Sequence, residues 1–193
     1  MDRQEIIRIL TETNVLMEGH FLLTSGRHSD KYLQCARIFQ YPDYASKIAV
    51  HLAAQVSGDG IDLVIGPAIG GIILSYEIGR VLGVKTIFTE RDNGLMTLKR
   101  GFEISAHSKV LVVEDVVTTG GSVKEVMELI KDHNANVVGV ASIVDRSGGK
   151  VKFGTKFTSA ISLDVLSYES EECPLCKSGI ALIKPGSRVF AKS

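Results

Sequence analysis

The period of the apolar positions changes several times along the chain, and each change marks an element. Residues 2–17 place Ile6, Ile7 and Leu10 near helical spacing, with Asp2 and Glu5 where an N-cap and its partner belong, which predicts an opening helix. Residues 21–30 carry Ser25-Gly26-Arg27 and no long period, predicting a short strand and a polar loop. Pro42-Asp43 opens a second helix whose stripe runs through Ile48, Leu52 and Val56 to a stop at Gly58-Asp59-Gly60.

Beyond Gly60 the helical stripes alternate with short, continuous apolar runs. Strands are predicted over 62–66, 84–89, 109–115, 136–144 and 160–165, and helices from Gly70-Gly71 to Leu82 and from Gly121 to His133. Uninterrupted apolar strands separated by helices imply a parallel sheet covered on both faces, so the predicted fold class is α/β, with helices flanking the sheet. Residues 91–108 break the alternation. Arg91-Asp92-Asn93-Gly94 reads as a turn, and Met96 to Ile104 alternates loosely around Lys99 and Arg100, predicting a mobile excursion that returns as a β-ribbon. With no repeat, low-complexity tract or linker, residues 1–193 are expected to form one domain, with a small hood made from both chain ends.

Composition narrows the function classes. The chain carries 22 Lys and Arg against 22 Asp and Glu, so it lacks the overall positive charge of a general nucleic-acid or membrane-surface binder. An anionic ligand would have to be met by local geometry. Apolar runs fall far short of the roughly 20 residues that span a bilayer. The charged start Met1-Asp2-Arg3-Gln4-Glu5 leads into an amphipathic helix rather than the apolar core of a secretory signal, and the 3 cysteines fit a reducing compartment, so a cytoplasmic location is expected.

The segment with the most chemistry is Val110-Leu111-Val112-Val113-Glu114-Asp115-Val116-Val117-Thr118-Thr119-Gly120-Gly121-Ser122. In doubly wound sheets ligands collect at the carboxyl ends of strands, where Glu114-Asp115 emerges. Residues 118–122 then put two glycines and three hydroxyls at the start of a helix, where backbone N–H groups and the helix dipole receive a phosphate. Two adjacent carboxylates would repel a bare polyphosphate, but they suit sugar hydroxyls and a magnesium-bound ligand. The combination describes a phosphorylated ribose. The other common phosphate loops are absent: there is no Gly-x-x-x-x-Gly-Lys-Ser/Thr, and residues 66–71 lack Gly-x-Gly-x-x-Gly.

Residues 110–122 resemble the signature of the type I phosphoribosyltransferases, which use 5-phosphoribosyl 1-diphosphate with magnesium. Within that group, Phe21-Leu22-Leu23-Thr24-Ser25-Gly26-Arg27-His28-Ser29, Gly66-Pro67-Ala68-Ile69-Gly70-Gly71 and Val144-Asp145-Arg146 resemble the orotate enzymes, in the right order and over most of the chain. The resemblance implies Mg²⁺-dependent transfer of phosphoribosyl to orotate in pyrimidine (UMP) biosynthesis, and a homodimer with active sites shared between subunits. It assigns the phosphoribosyl diphosphate site to Arg91, Glu114, Asp115, Val116, Val117, Thr118, Thr119, Gly120, Gly121 and Ser122, and the orotate contacts to Thr118 and Arg146, with backbone of Lys31-Tyr32-Leu33 beside the ring. Lys99, Arg100 and Asp115 are the expected catalytic groups, and magnesium is expected to be held by substrate and water rather than by dedicated side chains. An enzyme for another nucleobase and a non-catalytic regulator that senses phosphoribosyl diphosphate are the alternatives.

The chain departs from its relatives at cationic positions. Several orotate enzymes have a lysine where this chain has Thr24 and another where it has Gly70, and Leu95 and Thr97 replace a lysine and a histidine of the loop, leaving Lys99 and Arg100 as its cations. Cys173-Pro174-Leu175-Cys176 has metal-ligand spacing but no second pair, and a closed zinc site would have to recruit Cys35 and a histidine, or another subunit. A tail turn with free thiols is the simpler reading. His51 and His133 fall on predicted helices as surface or packing residues, His28 lies in the Ser-Gly loop with no role assigned to it, and Lys184 to Arg188 reads as a solvated basic turn.

Overall fold

The first element, α1 (Arg3–Glu12), is capped as its sequence predicts, in a computed structural model that describes residues 1–23 and 25–185: the Asp2 carboxylate accepts a hydrogen bond from the Glu5 N–H at 2.8 Å. The helix ends well before the predicted position 17. Asn14 adopts a left-handed backbone (φ 53°), which stops helix propagation, and Leu16 already belongs to β1 (Leu16–Leu22). That strand pairs antiparallel with β2 (His28–Leu33), so the predicted strand and loop are in fact a hairpin. Thr24, Gly186, Ser187 and Arg188 lie outside the described residues.

A 3-10 turn leads to α2 (Pro42–Val56), which starts with proline in its first turn and buries Ile48, Leu52 and Val56 as the periodicity requires. Strands and helices then alternate as β3 (Leu63–Pro67), α3 (Gly70–Leu82), β4 (Lys85–Asp92), β5 (Leu95–Thr97), β6 (Lys109–Val117), α4 (Gly121–Asp132), β7 (Asn136–Asp145) and β8 (Lys156–Ser162). They form one sheet of order β5-β4-β3-β6-β7-β8, parallel except for β5. The predicted last strand begins four residues too late: Lys156 is exposed, Phe157 half-buried and Thr158 buried at the sheet edge, and they form no continuous apolar run. The excursion is a ribbon only as far as Thr97, turning at Asn93 (φ 48°) and Gly94 (φ 87°), after which Phe102 packs edge-on to Phe88 and Ile104 returns to the core.

The sheet has a core on each face. Along β6, Leu111 and Val113 join the side chains of α1, α2 and α3, while Val110 and Val112 join those of α4; all four are fully buried. The chain leaves β4 on one side of β3 and crosses over to β6 on the other, so the carboxyl ends of β3 and β6 diverge and open a crevice. Above it, the β1–β2 hairpin meets the C-terminal segment through bridges of Phe21 to Ile183 and of His28 to Tyr168. That segment contains the short helix α5 (Pro174–Lys177). The predicted hood from both chain ends is therefore present. Among the described residues no helix is long and apolar enough to cross a membrane.

Leu111 anchors β6 just below the crevice and lies against Gly139 of β7, whose added Cβ would sit 3.4 Å from the Leu111 side chain. Leu111→Ala is expected to lower the unfolding free energy by about 2–5 kcal/mol, through lost transfer energy and the cavity left behind. Urea denaturation checks this, and an unchanged midpoint would show that β6 does not need this anchor.

Candidate active site

β6 delivers Glu114 and Asp115 at the open end of the sheet. The Glu114 carboxylate accepts from the Asp115 N–H at 3.0 Å, and the Asp115 carboxylate from the Val116 N–H at 2.8 Å, which fixes both side chains close to their own backbone. The chain then turns through residues 118–120 into α4. Gly120 is at the N-cap with φ 76°, and a Cβ there would lie 2.8 Å from Val151 and 2.9 Å from Phe153, so backbone conformation and space both require glycine. The turn and the first residues of α4 wrap a pocket of about 230 Å³ lined by Arg91, Glu114, Val116 to Val123 and Glu125. The size and the N–H groups at the start of α4 suit a phosphate.

The expected site residues are only partly brought together. Arg91, Glu114 and all of Val116 to Ser122 share this pocket. Arg91 is held there by Glu125, 2.9 Å away, and by the Gly94 carbonyl at 2.6 Å. Asp115 points instead toward the β3–α3 turn: a Cβ added to Gly70 would lie 2.6 Å from either carboxylate oxygen. The residue that stands where several of the enzymes it resembles have a lysine is therefore the one that makes room for Asp115. Lys99 pairs with Asp92 at 3.4 Å, and Arg100 pairs with Glu90 at 2.9 Å while lying over the Phe88 ring; neither lines the pocket.

Arg146 follows β7, and its backbone N–H donates to the Val117 carbonyl at 2.8 Å, which ties it to the loop of the phosphate pocket. Asp145 is not its partner. The Asp145 carboxylate accepts from the N–H groups of Ser147 at 2.7 Å and Gly149 at 3.2 Å, and the Arg146 Nε is buried with no hydrogen-bond partner among the described residues. A buried guanidinium nitrogen left unpaired is costly unless an anion completes it. Sequence reasoning missed Cys35, which sits beneath this region, close enough for the charges of Asp115, Arg146 and Glu114 to act on it; burial pushes its thiol well above the ordinary value. Only the folded chain brings it there.

The family model described as the phosphoribosyl transferase domain matches residues 38–167. The orotate phosphoribosyltransferase of Thermoanaerobacter sp. (strain X514) is 60% identical over 98% of this chain and 100% of its own length. The chain belongs to the orotate phosphoribosyltransferase family. The Thermotoga maritima member is 55% identical over 95% of this chain and 98% of its own length. Among solved structures, the family's crystal structure from Aeropyrum pernix superposes with a TM-score of 0.70 at 23% identity, covering 82% of this chain and 93% of that one, a likeness of fold.

In this family member the carboxylate pair is electrostatically strained. Burial and the neighbouring Asp115 carboxylate push Glu114 up to about 8, and burial also raises Asp115. One proton is thus retained between the two groups near neutrality, and a cation bound there would displace it. The unfolded chain ionises Glu114 near 4.5, whereas the folded chain keeps it protonated up to about 8, so the folded state binds more protons across that interval and loses stability as pH rises through it. Glu114→Gln is expected to lose less melting temperature than the parent between about pH 5 and about pH 8. Parallel melting curves for the two proteins across that range would refute the raised value.

Proposed function

We propose that the chain transfers the phosphoribosyl group of 5-phosphoribosyl 1-diphosphate to orotate, giving orotidine 5′-monophosphate and diphosphate, with Mg²⁺ as cofactor. The observation that carries the reading is the phosphate-sized pocket at the N-terminus of α4, beside a half-buried carboxylate pair and the unpaired Nε of Arg146. Thr118 to Ser122 would bind the 5′-phosphate, and Glu114 and Asp115 the ribose hydroxyls. Breaking the C1–diphosphate bond builds positive charge on the sugar and negative charge on the leaving group, so this chain has to supply position and charge rather than a nucleophile. Asp115 and Glu114 face the developing cation, and Arg146 and the Thr118 hydroxyl orient the flat, anionic base.

The paired carboxylates, which hold a proton for want of a better counter-ion, are hard oxygen donors that fit a hydrated magnesium ion, and Glu114 and Asp115 are the residues that would hold it through ribose oxygens and water. When bound, magnesium neutralises part of the diphosphate charge. Lys99 and Arg100 meet the leaving group only if the loop exchanges Asp92 and Glu90 for diphosphate, and that exchange gives the loop its closing action. We further propose a cytoplasmic homodimer, folded as one domain over 1–193, that binds neither membrane nor nucleic acid and in which this loop serves the partner's site. Ile69, just before α3, and Tyr76 within it are 85% and 62% exposed, apolar surface that a second copy would cover.

Incubation of the purified protein with Mg²⁺, phosphoribosyl diphosphate and each candidate base, followed by base consumption, tests the activity. Orotate is expected to be consumed and to stop being consumed without magnesium. Turnover of a purine or uracil in place of orotate, or of no base at all, sinks the proposal. Arg146→Ala is expected to raise the KM for orotate at least tenfold with little change in that for phosphoribosyl diphosphate, the size of a lost charge-assisted contact. Unchanged orotate kinetics refute its role. Lys99→Ala should lower kcat more than substrate affinity, and mixing it with Asp115→Asn should restore activity that neither variant has alone. No recovery on mixing argues against shared sites.

A further inference from the structure

A second cluster of chemically active side chains lies in the hood, apart from the pocket at α4. His20 of β1 and His28 of β2 meet Cys173 and Cys176 at the start of α5, and one ligand atom of each lies within 4.8 Å of the other three. His20 is 1% exposed, His28 6% and Cys173 0%, while Cys176 reaches the surface. The missing ligands of the Cys-x-x-Cys pair are therefore supplied by the hairpin, not by Cys35, which lies beside Asp115 and Arg146. His28, to which the sequence assigned no role, is committed here.

The distances have the shape of a coordination shell. His20 Nε2 is 3.0 Å from His28 Nδ1, 3.5 Å from the Cys173 sulfur and 3.7 Å from the Cys176 sulfur, and His28 Nδ1 is 3.3 Å from the Cys176 sulfur. A tetrahedral zinc ion with ordinary Zn–N and Zn–S bonds separates two nitrogens by about 3.3 Å and a nitrogen from a sulfur by about 3.6 Å. The second ring nitrogen of His20 is 2.7 Å from the Ile180 carbonyl, an acceptor only, so the proton is on Nδ1 and Nε2 presents its lone pair to the cluster. An imidazole anchored by a backbone carbonyl is the usual support of a metal-bound histidine.

We propose that His20, His28, Cys173 and Cys176 form a structural zinc site that fastens the C-terminal segment to the β1–β2 hairpin. Two thiols give up their protons as Zn²⁺ binds, and the two thiolates cancel the ion's charge, leaving a neutral centre suited to a buried position. Four protein ligands close the tetrahedron, so no position is open for substrate and the site is not catalytic. Thiolate and imidazole together select zinc over magnesium, so the two metals do not compete for one site. The ion reinforces contacts already made by backbone, the Ile183 N–H to the His20 carbonyl at 2.7 Å and the Tyr168 N–H to the His28 carbonyl at 2.8 Å. It thereby steadies β2, the strand whose Lys31-Tyr32-Leu33 backbone the proposed function places beside orotate, although zinc binding does not depend on that function.

Metal analysis of the full-length protein purified with reductant and no chelator is expected to find one zinc per chain. Stripped protein titrated with cobalt(II) should develop the visible bands of a tetrahedral ion and a thiolate-to-cobalt charge-transfer band, saturating at one equivalent, and added zinc should abolish both. Cys176→Ser, at the exposed ligand, should lose the charge-transfer intensity of one sulfur and most of the zinc, and zinc removal should lower the melting temperature of the parent protein by several degrees. Zinc-free protein whose stripped form takes up cobalt without a charge-transfer band overturns the proposal, and so does a Cys173–Cys176 disulfide in protein prepared without reductant. Because the cobalt titration uses the parent sequence, an unfolded variant leaves the result intact.

Discussion

The crevice depends on β6 being held rigidly on both faces. Leu111 and Val113 are fully buried against one layer of helices and Val110 and Val112 against the other, so the strand cannot tilt without opening a core. Its last residues nevertheless have to carry two adjacent carboxylates into a partly buried place. The packing below overrides the repulsion above, and the penalty is visible in the raised proton affinities of Glu114 and Asp115. The same strand sets the start of α4, because only the three residues 118–120 separate them. Phosphate pocket and carboxylate pair are thus two ends of one short, stiff segment.

Charge in this protein is matched locally rather than in bulk. The 22 positive and 22 negative side chains cancel, while the proposed substrates are all anionic. Their charge would be met by the N–H groups of α4, by Arg91 in the pocket and by the unpaired Nε of Arg146, while Lys99 and Arg100 are kept in ion pairs. Exposed pairs of that kind are weak, so a diphosphate and its metal would compete with them easily. That weakness would suit a loop that closes and opens, as the proposed function requires.

Much of this was legible in the sequence, because it rests on neighbours in the chain. The stripe of α2, the apolar run of β6 and the step from Glu114-Asp115 to Gly120-Gly121 are local patterns, and their backbone follows from them. The misreadings have local causes as well. One left-handed residue, Asn14, turned the predicted tail of α1 into β1, and the half-exposed edge strand β8 lacks the apolar run that marks a buried one. Gly70 read as a lost cation, but in the fold it leaves the space Asp115 occupies.

What the amino-acid order determined by itself was the alternation of helices and parallel strands and the phosphate-binding turn, since periodicity and glycine conformation act over a few residues. Tertiary structure decided the rest. Only the closed fold left Arg146 without its neighbour Asp145, placed Cys35 under the carboxylates, and gathered His20 and His28 around cysteines about 150 positions away. Such meetings depend on which faces the sheet buries and on how the chain ends cross over it. No local spacing encodes them, because the energy that enforces them comes from burying two cores at once.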